Sequence, residues 1–322
     1  MSHRSLRLPP SLSWRLLALA ATVLVLLALG LTGAPPARAA EPGATVVTPH
    51  VRAELLAHAP QGVGPGQPLW LGLRIEHQPQ WHTYWKNPGD SGLPIQLNWT
   101  LPPGLSAGEI GWPLPKAIPV GPLVNFGYEG TVLLPVPVQV STDFRPPALG
   151  DAVDIRLHAS WLVCRSECIP EEGRFTLRLP LRGSTALHGA AFDAAQAAQP
   201  RPIDDGARQR SSARPDGALV QLRVAGLPAA WQGQRLALLP ETADLFEHGT
   251  LAGTAWKQAW EGGVWTASVP VSPQRGASPA VLPVVLALGG EGRSAALPVQ
   301  GTWPATAAPA TVSPALEAAL RE

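Results

Sequence analysis

The chain has 322 residues, of which 45% are hydrophobic and 15% are charged, and its formal net charge is +1. This length and composition allow one or two ordinary hydrophobic cores, so we expect about two domains. The nearly neutral balance and the lack of a basic run argue against a nucleic-acid partner. The 37 prolines and 32 glycines fall between apolar runs, a pattern typical of short strands joined by turns.

The first forty residues have the pattern of a secretory signal peptide. Arg4, Arg7 and Arg15 precede the apolar run 16–31, and small residues that suit a cleavage site follow it. The pattern predicts a signal peptide over 1–40 and a mature protein in a bacterial periplasm. An uncleaved anchor is the alternative, although the apolar run is shorter than the roughly 20 residues that a spanning helix needs.

Residues 41–183 are predicted to form a first β-sandwich. Apolar and β-branched runs alternate there with Pro/Gly turns, without a helical pattern between them, which indicates the all-β class. The runs are Val51–Ala57, Pro68–His77, Ile95–Thr100, Gly130–Val140, Asp154–Val163 and Gly173–Leu181.

The composition changes after residue 183. We expect residues 184–217 to hold a short helix within Ala186–Gln199 and then a polar linker, Pro200–Gly217. Residues 218–303 are predicted to form a second, smaller β-sandwich-like domain, and 304–322 a loose tail with a possible helix at Pro314–Glu322. The strand runs of the second domain are Ala218–Gly226, Gln234–Leu239, Gly263–Val271, Val281–Leu288 and Ser294–Gln300.

The two cysteines of the chain, Cys164 and Cys168, directly follow a predicted strand. In an exported protein such a pair is either a structural disulfide or a redox-active pair. Closing so short a loop destabilises the unfolded chain by only roughly 2 kcal/mol, which makes it an inefficient structural crosslink. Glu167, Glu171 and Glu172 give a nearby thiolate little electrostatic support, which predicts a couple that tends to donate electrons.

Three segments follow one another around this pair: Trp81–Pro94, Pro119–Gly130 and Trp161–Pro170. Together they resemble the amino-terminal periplasmic region of the DsbD family of thiol:disulfide interchange proteins, in particular the branch called suppressor of copper sensitivity protein B. The resemblance covers roughly Val46–Leu181, and the second domain only loosely.

The resemblance implies an immunoglobulin-like sandwich that relays electrons. In that family the cysteine pair accepts electrons from a thioredoxin-like domain, supplied through a membrane-embedded domain, and passes them to periplasmic thioredoxin-fold oxidoreductases. By analogy Cys168 is the attacking nucleophile and Cys164 the resolving cysteine, and no cofactor is needed. His82 and Tyr84 would line the site. The loop Pro119–Tyr128 would form a cap, with Phe126 as the candidate shield and Tyr128 beside it.

The sequence departs from the family in two respects. Three residues separate the cysteines, fewer than in the better-known members, and neither a membrane domain nor a thioredoxin-like domain is present. We therefore expect either that this chain is a fragment or an isolated module, or that it works with a separately encoded electron donor. Two other functions stay open: a copper-binding module using the thiolates with His82, His77 or His158, and a non-catalytic binding sandwich with a structural disulfide.

Overall fold

The computed structural model describes residues 43–147, 150–246, 256–272, 275–276 and 278–305. The described residues form nineteen strands, two α-helices and one short 3-10 helix. None of the helices in this part of the chain has the length and apolar character that a membrane span requires. The predicted signal peptide, 1–40, and the possible helix Pro314–Glu322 lie outside the described residues.

The first β-sandwich consists of two antiparallel sheets. Its strands are β1 Thr45–Val47, β2 Val51–His58, β3 Leu69–His77, β4 His82–Gly89, β5 Gln96–Thr100, β6 Leu105–Ala107, β7 Lys116–Val120, β8 Leu123–Glu129, β9 Thr131–Val140, β10 Ala152–Cys164 and β11 Cys168–Pro180. One sheet has the order β1-β2-β3-β9-β6, and the other has the order β11-β10-β4-β8-β7, with β5 also paired to β10.

The core of this sandwich lies between the two sheets. Alternate side chains of each strand point inward, including Leu55 and Leu73 from one sheet and Trp85, Phe126 and Ile155 from the other. Burial of such large apolar side chains is the main favourable contribution to folding. This burial also fixes the pairing register of the strands, because a slip by one residue would turn the buried side chains of a strand toward solvent.

Helix α1, Gly189–Ala197, covers the outer side of the first sheet. Its Phe192 is fully buried against Leu56 and Leu133. Gly72 permits this approach, because a Cβ atom there would lie 2.8 Å from the Leu133 side chain and 3.0 Å from the Phe192 ring. The helix therefore caps a sheet face that would otherwise expose apolar side chains.

The second β-sandwich consists of two four-stranded sheets. Its strands are β12 Arg201–Pro202, β13 Ser212–Asp216, β14 Leu219–Val224, β15 Ala237–Pro240, β16 Lys257–Glu261, β17 Val264–Pro270, β18 Val281–Leu288 and β19 Glu291–Pro298. The sheet orders are β12-β19-β18-β15 and β13-β14-β17-β16. Trp265, Leu222 and Leu282 are buried in its core. Helix α2, Asp205–Gln209, and the 3-10 helix Ala229–Trp231 connect the strands.

The predicted all-β class, an immunoglobulin-like sandwich followed by a smaller one, is confirmed. The segment 200–217, expected to be a linker, instead contains β12, α2 and β13. Two local features explain the difference. The Asp204 carboxylate accepts a hydrogen bond from the Ala207 backbone N–H at 2.7 Å and so caps α2, and Ala213 is small enough to be fully buried. The domain boundaries stay a prediction.

Candidate functional site

The two cysteines close a hairpin between β10 and β11. Cys164 is the last residue of β10, Cys168 is the first of β11, and the two are register partners. Their sulfurs form a disulfide, with Cα atoms 4.2 Å apart. The loop between them is held by a hydrogen bond from the Arg165 backbone N–H to the Glu167 carbonyl, at 3.0 Å.

The side chain of Cys164 belongs to the outer face of its sheet. Along β10 the alternate residues from Val153 to Val163 are buried, whereas the residues between them are exposed or partly exposed. By this alternation Cys164 belongs with the exposed and partly exposed residues, yet it is only 2% exposed. Other residues must therefore cover the outer face at this point. Cys168, across the hairpin, is exposed.

His82 and Tyr84 of β4 provide that cover. His82 is the register partner of Cys164, and the Tyr84 hydroxyl oxygen lies 3.5 Å from the Cys168 sulfur. The His82 and Tyr84 rings meet edge to face, with centroids 5.2 Å apart, and both side chains are buried. The structure thus brings together four of the residues that the sequence singled out.

Burial shifts the titration of both rings. It lowers the pKa of His82 from its ordinary 6.5, against an opposing effect of the Glu129 carboxylate, and among the residues that the structure describes the His82 Nε2 atom has no hydrogen-bond partner. Burial also raises the pKa of Tyr84 from 10.0, against an opposing hydrogen bond with Ser91. At neutral pH Tyr84 is therefore a neutral hydroxyl able to donate a hydrogen bond to a sulfur.

Phe126 and Tyr128 lie elsewhere. The segment 119–128, expected to be a cap loop, forms most of the β7–β8 hairpin. Phe126 is 1% exposed and packs edge to face against Trp85 in the core. The Tyr128 hydroxyl donates to the Pro113 carbonyl at 2.8 Å. Both side chains alternate with Asn125 and Gly127 along β8 and so point to the core side, which means that the structure does not bring them to the sulfurs.

A different segment, the turn Asp90–Leu93, packs over Tyr84. A Cβ atom at Gly92 would lie 2.2 Å from a Tyr84 ring carbon, so this position tolerates only glycine against the ring. The turn is anchored to β8: the Asp90 carboxylate accepts from the Val124 N–H at 2.8 Å, and the Ser91 hydroxyl donates to the Asn125 side-chain oxygen at 2.9 Å. This cover lies within the Trp81–Pro94 segment, but no pattern in the sequence distinguishes it from an ordinary turn.

A shallow cleft of about 320 Å³ lies beside the disulfide. Its lining includes Leu93, Pro94 and polar residues such as Ser160 and Glu172, together with the register pair Leu162 and Pro170. That pair lies two positions from the cysteines and so shares their face of the sheet. Leu93 is 61% exposed. The cleft therefore presents apolar surface to any chain that approaches Cys168.

The carboxylates near the pair are arranged differently from the sequence-based expectation. Glu171 faces away from the disulfide, where it accepts hydrogen bonds from the Thr48 hydroxyl at 2.6 Å and the Trp161 indole at 3.3 Å, and pairs with His50 at 2.8 Å. Glu172 pairs with His158 at 3.1 Å. Of the three carboxylates, only Glu167 lies in the loop between the cysteines. The acidic residues therefore give little support to the prediction that the pair donates electrons.

Within the described ranges, no group of three or more His, Cys, Asp or Glu side chains is placed to hold a metal ion. His77 is committed to other contacts, since its ring nitrogens lie 2.7 Å from the Gly130 carbonyl and 2.9 Å from the Thr83 hydroxyl.

Comparison with known proteins places this site in context. Residues 52–180 match the family model described as thiol:disulfide interchange protein DsbD, N-terminal. No curated protein matches the chain. Among solved structures, the crystal structure of the N-terminal periplasmic domain of ScsB from Proteus mirabilis is similar, with 18% identity, a TM-score of 0.56, and 80% of this chain and 98% of that chain covered.

At that identity the ScsB likeness shows the fold alone. A chimeric titin Z1Z2 functionalized with a KLER exogenous peptide from decorin also matches, with 11% identity over 79% of this chain and 100% of that chain, but its TM-score of 0.16 supports no conclusion. The family match spans the sandwich that carries the cysteine hairpin. Residues 52–180 are therefore a domain of the DsbD amino-terminal family of thiol:disulfide interchange proteins.

Proposed function

We propose that the protein is a periplasmic protein-disulfide reductase module that relays electrons through Cys164 and Cys168 to partner oxidoreductases. The observation that carries this proposal is the unequal access to the two cysteines. Cys168 is exposed at the hairpin end, whereas Cys164 is buried behind it. Exchange between proteins needs one cysteine within reach of a partner and a second held back to complete the reaction.

In the working direction, the reduced pair donates two electrons to a partner disulfide. The Cys168 thiolate attacks a partner sulfur, a bond forms between those sulfurs, and the partner's other cysteine leaves as a thiolate. Cys164, as a thiolate, then attacks the Cys168 sulfur, which forms the Cys164–Cys168 disulfide and releases the partner's first cysteine. The partner ends as a dithiol. A donor dithiol outside this chain restores the reduced pair by the reverse sequence.

Tyr84 is well placed to support the attacking sulfur. Its hydroxyl lies 3.5 Å from the Cys168 sulfur and stays protonated at neutral pH because its pKa is raised. A neutral donor at that position stabilises a thiolate without adding charge. His82, beside Cys164 and with its pKa lowered, is a neutral ring that restricts the approach of solvent to the resolving sulfur.

The cleft beside Cys168 is placed to contact the residues that flank the reactive cysteine of a partner. A mixed disulfide places the partner chain directly over Cys168, where Leu93, Leu162 and Pro170 offer apolar contact. We propose thioredoxin-fold oxidoreductases as these partners, and a thioredoxin-like or membrane-embedded donor to reload the pair.

Trapping of the mixed disulfide tests the proposal. In a Cys164→Ala variant exported to the periplasm, Cys168 should accumulate disulfide-linked adducts with thioredoxin-fold proteins, since no resolving thiol remains. The matched Cys168→Ala variant should form few adducts, because Cys164 is buried. If Cys164→Ala forms no adducts, or if both variants form them equally, the proposal is wrong.

The structural-disulfide alternative makes the opposite prediction for the folded protein. A redox-active pair should be reduced by a thioredoxin-fold dithiol under native conditions and then alkylated, as detected by a mass increase on two cysteines. A structural crosslink should react only after unfolding.

A further inference from the structure

We infer that the second sandwich braces the redox site: through Asn87 it holds in place the turn that packs over Tyr84 and, through Tyr84, controls access to the disulfide. This assigns a role to the second sandwich, and it rests on the proposed function of the pair.

Asn87 is a buried polar contact between the two sandwiches. It lies on β4, the strand that carries His82 and Tyr84, and it is fully buried. Its side-chain N–H₂ group donates to two backbone carbonyls of the second sandwich, those of Pro240 at 2.8 Å and Thr242 at 3.3 Å. A buried amide bonded in this way is costly to displace, because its donors would lose their partners.

The acceptors of Asn87 are themselves fixed. Pro240 ends β15, and the neighbouring Leu239 is buried in the core cluster of the first sandwich, together with Val285 and Ala287 of β18. An ion pair between Lys86 and Glu241, at 2.8 Å, flanks the contact. The end of β15 is therefore packed against the first sandwich and presents its carbonyls at a defined place.

From Asn87 a continuous path leads to the sulfur. The Asn87 side-chain oxygen accepts from the Gly89 N–H at 3.1 Å, which sets the start of the turn. Two residues on, the Ser91 hydroxyl donates to the Asn125 side-chain oxygen at 2.9 Å. Asn125 also donates to the Tyr84 hydroxyl at 3.5 Å, which in turn lies 3.5 Å from the Cys168 sulfur.

The backbone of the turn makes this support necessary. β4 departs from regular pairing with β8 between Tyr84 and Gly89, and Gly89 and Gly92 have φ angles of +90° and +102°. Glycine-rich, irregular backbone gains little order from a sheet ladder. Besides the contacts of Asp90 and Ser91 with β8, Asn87 adds a constraint on the start of the turn, and its own position is set by the second sandwich.

The brace is tested by the rate at which dithiothreitol reduces the disulfide of the folded protein at neutral pH. Asn87→Ala removes the hydrogen bonds from β4 to the Pro240 and Thr242 carbonyls. Ser91→Ala removes the hydrogen bond from the turn to Asn125, which contacts Tyr84, and leaves the interface intact. We expect both variants to be reduced about fivefold faster than the parent, since loss of one or two hydrogen bonds raises the population of the open turn by that order.

Two controls separate positioning from general loss of stability. Leu222→Ala creates a cavity in the core of the second sandwich, away from the carbonyls that Asn87 contacts, and Glu241→Gln removes only the flanking ion pair. In both variants dithiothreitol should reduce the disulfide at about the parent rate, even though Leu222→Ala lowers the melting temperature. The brace is refuted if folded Asn87→Ala and Ser91→Ala proteins react within about twofold of the parent, or if Leu222→Ala accelerates equally.

The outcome is separable from that of the proposed function. If the parent exchanges with a thioredoxin-fold dithiol but the variants behave like the parent, only the brace is wrong. If the variants are accelerated with dithiothreitol but the parent resists thioredoxin-fold dithiols, the brace stands and the relay is wrong.

Discussion

Replacement of Tyr84 by phenylalanine should slow the attack of Cys168 on a disulfide or an alkylating agent at neutral pH. The substitution removes the hydroxyl that lies 3.5 Å from the Cys168 sulfur and keeps the ring that fills the space below Gly92. Because the ring is retained, the effect measured is that of the hydrogen bond to the sulfur and not that of a cavity.

The expected size follows from the contact. A hydrogen bond to a charged group contributes about 1.5–3 kcal/mol, and the long contact favours the lower limit. Loss of about 1.5 kcal/mol lowers the thiolate fraction about tenfold wherever the thiol predominates, since about 1.4 kcal/mol is a factor of ten. The more basic thiolate is about threefold more nucleophilic, given a Brønsted coefficient of about 0.4–0.5. The net result is a rate about three- to fourfold lower.

The assay is alkylation of Cys168 in the Cys164→Ala background, followed by mass spectrometry from about pH 6 to about pH 10. At the alkaline end both thiolates are fully formed, so the Tyr84→Phe protein should react faster than its parent and the two profiles should cross. Tyr84 stays a donor over this range because its pKa is raised. Tyr128→Phe, which removes a hydroxyl on the opposite face of the sheet, is the control and should leave the profile unchanged. Identical profiles, or slower reaction of Tyr84→Phe at every pH, would refute the argument.

Three further predictions concern residues around the site. Burial lowers the pKa of His77 from 6.5, so the unfolded state takes up a proton that the folded state resists. The contribution of neutral His77 to the free energy of unfolding is therefore fully present above about pH 6.5. It is lost as the pH falls below that value, by up to about 1.4 kcal/mol per pH unit. Urea unfolding at two pH values should show a smaller loss in His77→Asn, and an equal loss would contradict this. Glu171→Gln should cost about 1–2 kcal/mol in the same unfolding assay, because the partly buried pair with His50 is lost, while Cys168 alkylation stays unchanged; a changed alkylation rate would show that Glu171 acts on the sulfurs. Gly92→Ala should destabilise the protein by about 1–3 kcal/mol, because its Cβ would overlap the Tyr84 ring at a positive φ, and an unchanged melting temperature would argue against the close packing of this turn.

The strands of the sandwich cores could be predicted because their sequences alternate. The run Asp154–Val163 predicts most of β10, whose buried residues recur at every second position. The strand β4 gives no such signal. It is buried on both faces, so alternation is lost, and its Asn87-Pro88-Gly89 sequence is typical of a turn.

The site was predictable in part for the same reason. The cysteine pair and its two aromatic neighbours on β4 follow from the resemblance, and the structure brings them together. The cap loop that the resemblance implied at 119–128 is a hairpin in the structure. The segment 119–128 has the prolines and glycines of a loop, but Gly121, with a φ of +59°, turns the chain tightly and lets β7 pair with β8. Because side chains alternate along a strand, Phe126 and Tyr128 then point to the core side of β8. The sequence cannot show which side they face unless the pairing register is known.

Strand parity also explains why the cover of the disulfide comes from β4 and from the turn that follows it. Cys164 falls on the outer face of its sheet, where a sandwich offers no core to shield a sulfur from solvent. The cover must come from β4 and from the turn that follows it, and both are irregular, so their order depends on contacts outside the sheet ladder. Asn87 makes those contacts with the backbone of β15 and the residues after it. The outer-face position of the disulfide therefore makes its shielding depend on β4 and on the turn after it, and not on the core between the two sheets.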